Sequence, residues 1–199
     1  MKNPDKPILP IDHGGYFCKV ADGSRLFIYD YQPVNNYYAV IFIISGITGI
    51  NHNSEKDIIE QISNNCNRVV VIHPRGTGYS DGTRGDIENF SDFINDYNEI
   101  ISSDNDYKSN HLKVYLFGHS MSTAVLLAVA ANLKNISGAI LVNPPYQQKK
   151  AQGMSPGFVQ YVKYALYYFF AKHKPIVNMA GNPLKIKNEE DRKESAARI

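Results

Sequence analysis

Four short apolar runs punctuate this chain: Ala39–Ile44 (AVIFII), Arg68–His73 (RVVVIH), Leu112–Phe117 and Gly138–Val142. Ser45-Gly46 ends the first, Pro74 the second and Asn143-Pro144-Pro145 the fourth. Runs that are apolar on both faces belong in the buried strands of a parallel sheet, because a strand with one wet face alternates. Helical spacing appears between them. Glu55–Asn64 carries Ile58, Ile59 and Ile62, and Phe90–Ile101 carries Phe93, Ile94, Tyr97 and Ile101. Ser120–Leu133 is rich in Ala, Leu and Val, as a helix packed on a sheet is. Strands alternating with helices predict an α/β fold with a doubly wound, mostly parallel sheet. Ahead of it, Tyr16–Val20 and Leu26–Tyr31 flank Ala21-Asp22-Gly23-Ser24, which predicts an antiparallel β-hairpin.

The pattern breaks after Pro145. Gln147–Lys150 is a polar loop, Phe158–Lys172 an aromatic helix stopped before Pro175, and Asn188–Arg198 a charged helix. The expected organisation is a core over residues 1–145 and a helical cap over residues 146–199. With 199 residues, one domain with a sizeable core is expected. The net charge of +2 gives no reason to expect a nucleic-acid partner. The charge is uneven, with 10 Lys/Arg against 4 Asp/Glu in residues 146–199. Cys18 and Cys66 are too few and too far apart for a disulfide framework or a zinc site. The first residues, Met1 to Pro7, have no apolar signal core. The apolar run Tyr164–Ala171 is far shorter than the ~20 residues of a membrane span. The expectation is a soluble, cytoplasmic protein, peripheral to a membrane at most.

Ser120 lies in Leu116-Phe117-Gly118-His119-Ser120-Met121-Ser122, at the junction of the third apolar run and the Ala/Leu/Val-rich helix. A strand that turns sharply into a helix exposes the turn residue at the carboxyl edge of the sheet, where α/β proteins bind ligands. Gly118 permits the tight turn, and Ser122, still small, stands where a second glycine is usual. A nucleophilic serine requires a base and donors for the oxyanion. The expected donors are the backbone N–H groups of Met121 and of Ile47, the latter in Ser45-Gly46-Ile47-Thr48-Gly49 after the first apolar run. Glycines 76, 78 and 82 predict a compact loop after Pro74, with Arg75 anchoring it to carbonyls. No helix opens right after this G-x-G, which argues against a dinucleotide site.

Gly118-His119-Ser120-Met121 and Arg75-Gly76-Thr77-Gly78-Tyr79-Ser80-Asp81-Gly82-Thr83-Arg84-Gly85, in this order and spacing, resemble the α/β-hydrolase superfamily. The resemblance is to its monoacylglycerol lipase and lysophospholipase-like branch, the serine aminopeptidase group. It covers residues ~14–145 well and the rest loosely. It implies a nucleophile at Ser120, oxyanion donors at Ile47 and Met121, and a lid after Pro145. It also implies an acid and a base in the order Ser…Asp…His, on loops after two further strands that would lie beyond residue 199. His173 and Asp191 come in the reverse order, within helical sequence.

The implied activity is hydrolysis of esters with an apolar acyl chain, monoacylglycerol-like or lysophospholipid-like, through an acyl-enzyme on Ser120, without metal or cofactor. The rivals are a thioesterase or acyltransferase using the same serine, and a non-catalytic or split-protein fragment. The triad acid and base are not found in this chain, so residues 1–199 alone are expected to turn over no ester. A second chain or oligomer is expected to cover the open sheet edge. The aromatic helix either lines an acyl tunnel and touches a membrane surface or packs as a core helix.

Overall fold

The computed structural model describes residues 15–33, 36–44, 59–63, 67–83, 86 and 88–144. Six strands form one mixed sheet: β1 (Gly15–Lys19), β2 (Arg25–Tyr31), β3 (Ala39–Ile44), β4 (Asn67–Ile72), β5 (Lys113–His119) and β6 (Gly138–Val142). Their order across the sheet is β1-β2-β4-β3-β5-β6. The hairpin β1–β2 is antiparallel and joins β4 antiparallel, while β4, β3, β5 and β6 run parallel. The helices are α1 (Phe90–Ser103), α2 (Asn105–Ser109) and α3 (Ser122–Asn132). Residues 59–63 are also helical.

The continuous apolar runs follow from cover on both sheet faces. On one face Val40, Phe42, Ile44, Val70, Ile72, Val114 and Leu116 pack with Tyr97 and Ile101 of α1 and Leu126 and Val129 of α3. On the other, Ile41, Ile43, Val69 and Val71 pack with Phe27, Tyr29 and Ile59. Full burial of one such side chain contributes about 1.5–3 kcal/mol, so these two layers are the main source of stability.

Three details correct the sequence reading. β6 has the same apolar content as its neighbours but not their burial: Ile140 is 43% and Leu141 39% exposed, and β6 is an edge strand among the described residues. α2 was not expected. Asp104 caps it, its carboxylate accepting the N–H groups of Asp106 and Tyr107, and Asn110 ends it at φ 55°. The third lies at the amino edge of the parallel strands, where Arg68, read only as the start of an apolar run, is a buried cation.

Arg68 is held from three sides. Its Nε and Nη2 donate to the two carboxylate oxygens of Asp30 at 2.9 and 2.7 Å, and its Nη1 donates to Asp104 and Asp106. Tyr37 donates its hydroxyl to Asp106 at 2.7 Å. Burial works against the charge on Arg68, but the Asp30 and Asp104 carboxylates outweigh it and hold the guanidinium pKa above its ordinary value. Burial, then the hydrogen bond to Asp106, pushes the Tyr37 hydroxyl up to about 12. The predicted cap, residues 146–199, lies outside the described residues.

Candidate active site

Ser120 sits where β5 leaves the sheet and α3 begins, at the carboxyl edge and opposite the Arg68 cluster. Its φ is 57°, in the left-handed region that a residue with a Cβ occupies at a cost of about 1–2 kcal/mol. Such strain persists only where neighbouring contacts impose it, and here they are explicit. The Ser120 N–H donates to the Val142 carbonyl of β6 at 2.9 Å. Its own carbonyl accepts the Thr123 N–H at 3.1 Å and the Thr123 hydroxyl at 2.6 Å. The Ser122 hydroxyl accepts the His119 N–H and donates to the His119 carbonyl, both at 2.8 Å. Space beneath is tight at Gly118: a Cβ there would stand 3.0 Å from Leu126 Cδ1 and 3.2 Å from Ser122 Oγ. The result is an exposed serine followed by Met121, itself half exposed, whose N–H finds no acceptor among the described residues.

The loop after β4 is scaffolding of the predicted compact kind. Gly76, Gly78 and Gly82 all have positive φ, and a Cβ on Gly78 would run into the His73 imidazole. Buried Ser80 ties the loop to the sheet, donating to the His73 carbonyl at 2.7 Å and accepting the Phe27 N–H at 2.9 Å. The role expected of Arg75 is corrected. It grips carboxylates rather than carbonyls, with Nε and Nη2 on Asp96 of α1 at 2.7 and 2.6 Å and Nη1 on Asp22 of the hairpin turn at 2.9 Å. Two carboxylates oriented toward a guanidinium outcompete neutral carbonyls. The Ser24 N–H, and then Arg75, holds the Asp22 carboxyl down at about 2. Burial pushes the Asp96 carboxyl up, against the pull of Arg75.

Of the residues expected at the site, Ser120 and Met121 are brought together by the elbow. Ile47, His173 and Asp191 lie outside the described residues. A cavity of about 400 Å³ opens elsewhere, at the amino edge beside Tyr16, Cys18, Tyr37 and Arg68. Among the described residues no group of three or more His, Cys, Asp or Glu side chains is arranged for a metal ion, and no helix is long and apolar enough to cross a membrane. The sequence reading treated Ser122 only as a small residue and passed over Thr123. The signal for both was their spacing, since a Ser or Thr hydroxyl reaches the backbone three residues earlier.

Comparison with known proteins fits this frame. The family described as "Serine aminopeptidase, S33" matches residues 35–197. The monoglyceride lipase of Homo sapiens is 29% identical over 127 residues, which are 62% of this chain and 41% of that protein, and that of Mus musculus matches equally. The chain thus spans about two fifths of the length of these curated relatives. A soluble variant of monoglyceride lipase from Saccharomyces cerevisiae, solved with a substrate analog, is similar with a TM-score of 0.69 at 19% identity, over 89% of this chain and 59% of that one. The α/β hydrolase GrgF from Penicillium sp. sh18 is similar with a TM-score of 0.62 at 22% identity, over 84% and 60%. At these identities the structural likeness establishes the fold, that of the α/β-hydrolases.

Proposed function

The chain belongs to the serine aminopeptidase S33 family, and from that premise we propose that Ser120 is the nucleophile of a lipase or esterase-type hydrolase. The observation that carries the reading is the elbow itself. An exposed hydroxyl is held at φ 57° directly before the helix-opening Met121 N–H. In this reading Ser120 Oγ attacks the ester carbonyl and the oxyanion takes the N–H of Met121 and of Ile47. The alcohol leaves, and water then releases the acid from the acyl-enzyme. The acid and base of that sequence are not among the described residues. The aromatic and apolar content of segment 158–172 suits the acyl chain of a monoacylglycerol-like or lysophospholipid-like ester and contact with a lipid surface.

The test is acylation by p-nitrophenyl butyrate, with imidazole added as a diffusible base and intact-mass detection. The expected result is one acyl adduct, mapped to Ser120, forming faster with imidazole and absent from Ser120→Ala. An adduct that persists in folded Ser120→Ala overturns the assignment. A monoacylglycerol series run alongside reads the chain-length preference.

A further inference from the structure

We propose that Ser122 and Thr123 are positioning residues for Ser120, two hydroxyl groups that lock the nucleophile in its left-handed conformation; the proposal rests on the nucleophile reading given above. Both residues are buried, Ser122 at 2% and Thr123 at 1% exposure. Neither hydroxyl faces solvent, and neither is free to serve another partner.

Each closes a short ring onto the elbow. Ser122 Oγ satisfies the donor and the acceptor of His119 at once, at 2.8 Å each, tying the last residue of β5 to the first of α3. Thr123 Oγ1 and the Thr123 N–H converge on the carbonyl of Ser120, at 2.6 and 3.1 Å. With the Ser120 N–H committed to Val142, every backbone polar group of residues 119 and 120 has a partner. Rotation of Ser120 out of φ 57° would break the Thr123 bonds and the Val142 bond together. Glycine at these positions would allow the same turn but add no restraint. Serine and threonine replace freedom with hydrogen bonds, which in a buried setting are costly to leave unmade.

The full chain is compared as wild type, Ser122→Ala, Thr123→Val and the conservative Thr123→Ser, each first checked for native circular dichroism. One readout is exchange of the His119 amide by NMR, against the interior amides of β3 as reference. The other is the rate of fluorophosphonate adduct formation at Ser120, with imidazole supplied. In Ser122→Ala the His119 amide should exchange about tenfold faster while the β3 amides hold their rates. Labelling should slow about tenfold in Ser122→Ala and in Thr123→Val, and Thr123→Ser should return it to within about twofold of wild type. Folded Ser122→Ala with wild-type His119 exchange, or folded Thr123→Val with wild-type labelling, overturns the proposal. Where Ser122→Ala fails to fold, Thr123→Val and Thr123→Ser decide the matter by their labelling rates. If the wild type takes no label, the nucleophile reading falls, and the exchange readout by itself supports or overturns the restraint.

Discussion

The two edges of the parallel strands are built on opposite principles. At the amino edge a single guanidinium, Arg68, is surrounded by Asp30, Asp104 and Asp106 and almost sealed from water. At the carboxyl edge a hydroxyl, Ser120, is exposed while the backbone groups of residues 119 and 120 are engaged. The first arrangement joins three segments distant in sequence, three carboxylates gathered on one cation. The second joins β5, α3 and β6 so that one side chain and one N–H stay available. Strain is found at the second edge, in the φ of Ser120. That assigns stability to one edge and the proposed reactivity to the other.

Replacing Arg68 breaks the first half of that assignment. Arg68→Ala leaves three carboxylates facing one another in a poorly hydrated pocket and should cost about 3–5 kcal/mol. A fall in Tm of about 6–20 °C is expected. The reactivity of Ser120 per folded molecule should be unchanged, so a parallel loss of both would show that the edges are not independent.

Relieving the strain sharpens the second half. Ser120→Gly removes the Cβ from a left-handed residue, and even after the extra entropy of glycine in the unfolded chain it should stabilise the fold by about 0.5–1 kcal/mol. Ser120→Ala keeps the Cβ and should gain nothing comparable. Urea midpoints at fixed m-value read the difference. A Ser120→Gly variant less stable than Ser120→Ala would mean that the elbow is not strained.

The smallest effect concerns the hairpin turn, which Asp22 links to Arg75. Its carboxyl is held at about 2, below the ordinary 3.8. Its contribution is therefore complete above about pH 4 and is lost as pH falls through about 2. The Ser24 amide, which donates to Asp22 at 2.8 Å, should titrate with a midpoint near 2 by NMR. A midpoint near 4 would remove Arg75 and the turn from the account of how the loop after β4 is held.

What was legible in the sequence depended on range. The strands Ala39–Ile44 and Gly138–Val142 were delimited by composition alone, and β4 began one residue earlier than expected. The elbow was legible because strand, serine and helix are contiguous. The exposure of β6 was not, since GAILV has the same content in an edge strand as in a central one, and only neighbours decide burial. The Arg68 cluster was equally hidden: its partners lie 36 to 38 residues away. The Arg75 contacts failed for a related reason, because nothing local distinguishes a carbonyl anchor from Asp96 twenty-one residues on. Ser122 and Thr123 were within local reach and were missed by reading their size and not their hydroxyls.

The proposed reactive hydroxyl of this chain is that of Ser120. Its most direct test is peptide mapping after treatment with a fluorophosphonate probe and imidazole, on wild type and Ser120→Ala in parallel. One adduct is expected, on the peptide containing Gly118-His119-Ser120-Met121, and none in Ser120→Ala. A folded wild type without that adduct, or an adduct that survives in Ser120→Ala, would contradict it.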